Sequence, residues 1–232
     1  MRRLRGVLLD AVGTLIELRE PVGESYARAA RDFGVDVPGW RLDDAFRRVL
    51  ARAPAMAFPG ASPERIGDLE RAWWRDVVRA TFRAADQMAR FADFEGFFDA
   101  LFSRFARPEV WRGRPGAREA LARLEADRRL VAVLSNFDHR LPAILAGLEL
   151  AVGPVLLPGE LGAAKPDPRC FAAALARLGL TPAESVYVGD DPASDLAAAR
   201  RAGLRAIDVA SLATLAELPR RIADLEREAR SA

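Results

Sequence analysis

The sequence predicts an α/β protein: a doubly wound, mainly parallel, Rossmann-like sheet interrupted by one all-helical insertion. Three observations carry that expectation. A short apolar run, Gly6–Leu9, stands near the start; a long stretch after it shows only a helical period; and from about Pro115 onward apolar runs of strand length alternate with helical stretches.

Gly6-Val7-Leu8-Leu9 is apolar throughout, as a strand buried on both faces requires, and ends in Asp10, with Gly13 and Thr14 close behind. From Val22 to about Arg107 apolar residues recur at three and four, as in Tyr26, Ala29, Ala30, Phe33 and again in Trp73, Trp74, Val77, Val78. That period predicts three or four amphipathic helices, punctuated by Pro38-Gly39, Pro54, Pro59-Gly60 and Pro63. After Arg114-Pro115-Gly116 the spacing predicts a helix over Ala117–Arg128, a strand over Leu130–Leu134, a helix over Leu141–Leu148 and a strand over Val155–Leu157. A helix over Pro168–Gly179, a strand over Val186–Val188, a helix over Leu196–Gly203 and a strand over Ala206–Val209 follow. Pro219–Arg227 closes the chain as a helix with its proline in the first turn. The expected organisation is an α/β core of residues 1–18 and 108–232, with residues 19–107 a helical cap inserted after the first strand. An insertion there lies over the carboxyl ends of the strands, where parallel sheets hold their ligands.

Half of the 232 residues are apolar, enough for one core and a satellite. The 35 basic and 33 acidic residues are spread singly, so no charge block calls for nucleic acid or an anionic membrane as partner. No apolar run reaches the ~18 residues of a membrane span, and the basic start Met1–Arg5 precedes too short an apolar run for a signal-peptide core. A cytoplasmic protein acting on a small molecule is expected, with a homo-oligomer left open. Cys170 stands alone, which excludes an internal disulfide, and reads as a small buried hydrophobe. His139, with no Cys or second His beside it, offers no soft-metal ligand set. Lys165 is the sole lysine; where arginine fills every other cationic position, it marks a place that needs a compact ammonium.

Four features fall at the expected carboxyl ends of different strands. They are Asp10, Ser135-Asn136, Lys165, and the trio Asp190, Asp191 and Asp195. Each alone has a plain structural reading: Asp190-Asp191 before Pro192 could serve a turn, Ser135 a helix cap, Thr14 a turn, and Asn136 the orientation of Ser135. Their order across four strands points instead to one site. Asp138 and Asp167 are expected as helix caps, and Trp73-Trp74 as packing, one ring inside the helical insertion and one at its edge.

The motifs Asp10-x-x-Gly13-Thr14, Ser135-Asn136, Lys165-Pro166-Asp167-Pro168 and Gly189-Asp190-Asp191-x-x-x-Asp195 resemble motifs I to IV of the haloacid dehalogenase superfamily. The helical insertion corresponds to that superfamily's cap. Pro21-Val22-Gly23-Glu24, Trp73-Trp74, Asp76-Val77-Val78, Ser135-Asn136-Phe137-Asp138 and Lys165-Pro166-Asp167-Pro168 are similar to one branch, typified by haloacid dehalogenase-like hydrolase domain-containing protein three. The resemblance implies a hydrolase in which Asp10 is the nucleophile and forms a covalent intermediate that water hydrolyses. It implies Mg²⁺ held by Asp10, Asp190 and the Val12 backbone carbonyl, with Asp191 or Asp195 acting through water. Lys165 adds positive charge, Ser135 and the amides around Asn136 donate to a developing oxyanion, and Thr14, Ser135, Asn136 and Lys165 form the phosphate-binding set.

One position departs from the pattern. The superfamily's phosphatases carry a second aspartate two residues after the nucleophile, which protonates the leaving group; here that position is Val12. Positioned acid–base catalysis is worth ~10²–10⁴-fold, so leaving groups that depart unprotonated, such as aryl or acyl phosphates, are favoured over simple sugar phosphates. Glu17 or a cap residue could supply the missing acid. Two other readings stay open: a 2-haloacid dehalogenase, whose halide needs no proton, and a non-catalytic binding relative. A phosphonate hydrolase is excluded, because its Schiff base needs a lysine that the insertion lacks.

Overall fold

The computed structural model describes residues 3–231, with side chains for all of these except 89 and 229–231. Met1 and Arg2 of the basic start lie outside the described residues. The chain forms β1 (Gly6–Leu9), β2 (Ile16–Leu18), then four helices: α1 (Val22–Arg31), α2 (Gly39–Leu50), α3 (Pro63–Ala84) and α4 (Phe94–Phe105). It returns through β3 (Trp111–Gly113), α5 (Ala117–Ala126), β4 (Leu130–Leu134), α6 (Leu141–Gly147), β5 (Val155–Leu156), the single turn α7 (Pro158–Leu161) and α8 (Pro168–Leu178). The remainder is β6 (Ser185–Gly189), a π-turn over Pro192–Ala197 leading into α9 (Ala198–Arg201), β7 (Arg205–Asp208) and α10 (Leu218–Ser231).

The sheet is parallel, in the order β5-β4-β1-β6-β7. Alternation along its strands divides the core in two. Val7 and Leu9, Val186 and Val188 face a cluster built with Ala117, Leu121 and Leu124 of α5, Ile144 of α6 and Ile222 of α10. Leu8 and Tyr187 face the other way, onto Cys170, Phe171, Ala174 and Leu175 of α8 and Ala198 and Ala199 of α9. Helices on both faces are what continuous apolar strands require, so the doubly wound α/β expectation holds. Cys170 is buried, as a small hydrophobe should be, and burial pushes its thiol up to about 12.

Helices α1–α4 bury their apolar stripes against one another around Tyr26, Phe82, Phe97 and Phe98. The block leaves and rejoins the sheet through a feature that the sequence did not announce, an antiparallel ribbon of β2 with β3. Three-residue strands some ninety positions apart carry no readable alternation, and the strand–helix pattern was expected to resume only after Gly116. The block lies over the loops that follow β4 and β5. A Cβ at Gly159 would sit 2.5 Å from Ile66 Cγ2 and 2.7 Å from Glu70 Oε1, so glycine lets α3 approach that closely.

Candidate active site

The strand ends bring together Asp10, Ser135, Lys165, Asp190 and Asp195. Asp10 leaves the end of β1 with its N–H bonded to Val188 O at 2.9 Å, which fixes it to the adjacent β6. Lys165 Nζ spends its three donors on Asp10 Oδ1 at 2.8 Å, Asp195 Oδ1 at 2.5 Å and Tyr187 Oη at 2.6 Å. Ser135 also lies beside the Asp10 carboxylate and favours its charged form. Asp10, Ser135 and Lys165 are 8%, 4% and 6% exposed, whereas Asp190 stands open to solvent.

The local backbone explains the acids. Gly13 has φ +87°, and a Cβ there would sit 2.2 Å from Asp190 Oδ2; only glycine gives both the turn and the room. Gly189 gives the same room to Asp195, whose Oδ2 lies 2.4 Å from where a Cβ would be. The stretch expected as a helix from Leu196 instead opens with the wide π-turn from Pro192, which carries Asp195 inward, where it is 1% exposed.

Several expected roles divide more finely than the sequence allowed. Asp191 caps the π-turn, accepting from Ala193 N at 2.8 Å and Ser194 N at 2.6 Å, whereas Asp195 joins the cluster. Thr14 Oγ1 donates to Asp190 Oδ1 at 3.3 Å, so it steadies an acid. Asn136 turns both ends of its amide onto the Lys165 backbone: Lys165 N donates to Oδ1 at 2.9 Å, and Nδ2 donates to Lys165 O at 2.8 Å. It therefore orients Lys165 rather than Ser135. Val12 presents a side chain that is 37% exposed, and Glu17 is held by Arg112 across the ribbon at 2.8 Å.

Asp167 caps α8 as expected. Asp138 does not cap α6, whose N-cap is Arg140. It is fully buried and accepts from Arg140 and from Trp74 Nε1, partners too far along the chain or too short-range in sequence for periodicity to show. Trp73 Nε1 donates to Pro54 O at 2.8 Å inside the helical block. His139 has carboxylate company: Glu70 and Asp138 place oxygens within 4.8 Å of a ring nitrogen. Asp138's oxygens already take four donors, and no cysteine joins them.

Tyr187 is the residue that sequence reasoning missed. The available signal was a lone polar-tipped ring in the apolar run Val186–Val188, because a buried tyrosine hydroxyl needs a partner. Burial, then Asp10 and Asp195, hold its phenol well above its ordinary value, so the hydroxyl keeps its proton.

Charge decides what the group can hold. Burial, then Asp195, push the Asp10 carboxyl upward against the pull of Lys165. Burial works against the Lys165 ammonium, yet Asp10 and Asp195 outweigh it and keep it charged. Asp190 is raised by burial and by both neighbouring carboxylates. Oxygens of Asp10, Asp190 and Asp195 lie within 4.8 Å of one another. Three carboxylates against one ammonium leave two negative charges, and an all-oxygen set suits a hard divalent cation. The residues fit such an ion.

A family model for haloacid dehalogenase-like hydrolases matches residues 4–203. The chain is a haloacid dehalogenase-like hydrolase. This hydrolase is 38% identical over 210 residues to the haloacid dehalogenase-like hydrolase domain-containing protein 3 of Mus musculus, covering 90% of this chain and 82% of that one. It is 40% identical over 184 residues to a phosphoserine phosphatase of Thermus thermophilus, covering 70% of this chain and 74% of the relative. Among solved structures, its fold resembles the L-2-haloacid dehalogenase of Xanthobacter autotrophicus with chloropropionic acid covalently bound. The TM-score is 0.67 at 24% identity, over 92% of this chain and 80% of that chain.

Proposed function

We propose that this hydrolase is a Mg²⁺-dependent phosphohydrolase that works through an aspartyl-phosphate on Asp10, with helices α1–α4 as its cap. The observation that carries the reading is the surplus of acid around Lys165: Asp10, Asp190 and Asp195 gather within 4.8 Å while sharing one ammonium. A halide displacement has no use for that surplus. The phosphoserine phosphatase relative supports a small phosphorylated metabolite as substrate.

A carboxylate oxygen of Asp10 attacks phosphorus, and the bond to the leaving oxygen breaks with its electron pair going to that oxygen. Water then attacks the phosphorus of the acyl phosphate, releasing phosphate and restoring Asp10. Lys165 holds Asp10 in line and offsets part of the charge that accumulates. Ser135 stands beside the same carboxylate as a donor for the phosphoryl oxygens. Mg²⁺ on Asp10, Asp190 and the Val12 carbonyl would draw charge from those oxygens, with Asp195 reaching it through water. Val12 cannot give or take a proton, so the favoured leaving group is one stable as an anion. A helical cap over the strand ends would open and close in each turnover, and a cytoplasmic location fits a metabolite substrate.

Val12 alone favours a second reading, halide displacement from a 2-haloacid. Hydrolysis of an aryl phosphate with Mg²⁺ and with EDTA, beside a 2-haloacid without metal, separates the two. Metal-dependent phosphate release that disappears in Asp10→Asn supports the proposal; halide release, or silence on phosphate esters, overturns it.

A further inference from the structure

One six-residue segment, Ser135–Arg140, holds the catalytic group at one end and the helical block at the other. At its first end, Ser135 lies beside Asp10, and Asn136 clamps the Lys165 backbone through two hydrogen bonds. At its last end, three successive residues grip helices α3 and α4. Trp74 Nε1 donates to Asp138 Oδ2 at 2.6 Å. Glu70 Oε2 accepts from His139 N at 3.0 Å and lies 2.5 Å from His139 Nδ1. Arg140 donates through Nη1 to Phe102 O at 2.9 Å, its guanidinium 3.7 Å from the centroid of the Phe102 ring.

Asp138 is the joint. It is fully buried and holds Arg140 in a fork, Nε to Oδ1 at 2.8 Å and Nη2 to Oδ2 at 2.6 Å, with Arg140 N also on Oδ1 at 3.0 Å. Lifting the helical block strips Trp74 of α3 from this carboxylate and Phe102 O of α4 from the guanidinium. Buried charges that lose partners are costly, so the segment cannot release the helices and keep its shape. The same shape sets Asn136, and Asn136 sets Lys165.

We infer that Asp138 is a positioning residue: through its bond to Trp74, docking of the helical block fixes the Ser135–Arg140 segment and thereby holds Lys165 against Asp10. Catalytic alignment and cap closure are then one event, joined by the Trp74–Asp138 hydrogen bond, the backbone from Asp138 back to Asn136, and the two bonds of Asn136 to the Lys165 backbone. The turnover arm of the test rests on the phosphohydrolase reading; the exchange arm does not.

Trp74→Phe removes the N–H donor and keeps an aromatic ring, whereas removing Asp138 itself would strand Arg140. Trp73→Phe is the matched control, because Trp73 Nε1 donates within the block, to Pro54 O. Amide hydrogen exchange is measured on both variants of the full chain. In Trp74→Phe, the His139 and Lys165 amides should exchange at least tenfold faster while those of β7 stay protected, and Trp73→Phe should leave Lys165 unchanged. With aryl phosphate and Mg²⁺, kcat/KM of Trp74→Phe should fall about ten- to hundredfold, with a drop in kcat. Faster exchange confined to α3, or uniform across the sheet including β7, overturns the inference. A wild-type protein that releases no phosphate strikes down the proposed function instead, and the Lys165 amide still decides the coupling.

Discussion

Lys165 Nζ stands 2.5 Å from Asp195 Oδ1, and the same ammonium reaches Asp10 Oδ1 at 2.8 Å. One compact charge thus serves two carboxylates from different strand ends, which a planar guanidinium could not do in the same space. In Lys165→Met both acids keep their burial and lose their counter-charge. Removing one partner of a buried pair typically costs about 3–5 kcal/mol. The variant should unfold at markedly lower urea than wild type, and millimolar Mg²⁺ should restore part of the difference. Equal urea midpoints would show that the ammonium does not hold the acids together.

Mg²⁺ should also stabilise the wild-type protein. A ligand that binds only the folded state at a hundred times its Kd adds about 2.7 kcal/mol, and a thermal scan with Mg²⁺ against EDTA reads it as a rise in Tm. The rise should vanish in Asp190→Asn. It should also shrink in Gly13→Ala, where a Cβ 2.2 Å from Asp190 Oδ2 displaces that acid. A Tm indifferent to Mg²⁺ would argue that the acidic group binds no such ion.

Val12→Asp installs a proton donor beside Asp10. The gain should reach about tenfold or more for an alkyl phosphate, whose alkoxide needs the proton, and be small for an aryl phosphate. The check is the ratio of kcat/KM on the two ester classes in variant and wild type. Equal gains on both would refute the account of the leaving group.

Acid stability offers a test away from the site. Glu226 of α10 accepts from Arg129 at 2.9 and 3.2 Å and from Leu4 N at 2.8 Å. Burial opposes its charge, but these donors outweigh burial and hold the carboxyl below its ordinary 4.5. A carboxyl lowered by folding stabilises above its unfolded value, and that contribution fades as pH falls through the folded one. Glu226→Gln should therefore cost about 1 kcal/mol at neutral pH, and the gap from wild type should close as the solution is taken below the carboxylate range. A gap that stays constant with pH would mean that the carboxylate charge contributes nothing.

The strands and the polar residues at their ends were legible because a doubly covered parallel sheet writes itself as apolar runs, each stopping at a polar residue. Asp10, Ser135 and Asp190 could be read in that way, and Lys165 as the sole lysine in the loop after β5. Contacts set by the third dimension could not. Asp191 and Asp195 look alike in sequence, and only the π-turn from Pro192 sends one to cap a helix and the other to Lys165. Asp138 carries a cap residue's signature, yet its partner Trp74 lies 64 positions away. Ile16–Leu18 and Trp111–Gly113 are too short to show a period, although they carry the chain into and out of the helical block.

The placement of β1 at the middle of the sheet has a consequence for how the molecule comes into being. Gly6 pairs on one side with Leu130 and on the other with Ser185. A chain growing from its amino end therefore carries β1 without either neighbour until most of the sequence has been made, and such distant pairings close slowly. Helices α1–α4, whose aromatic cluster lies wholly between Val22 and Phe105, can settle while the ribosome is still at work. The strand that leads into Asp10 precedes both of its neighbours in synthesis, and its place between them is complete only after the second has emerged.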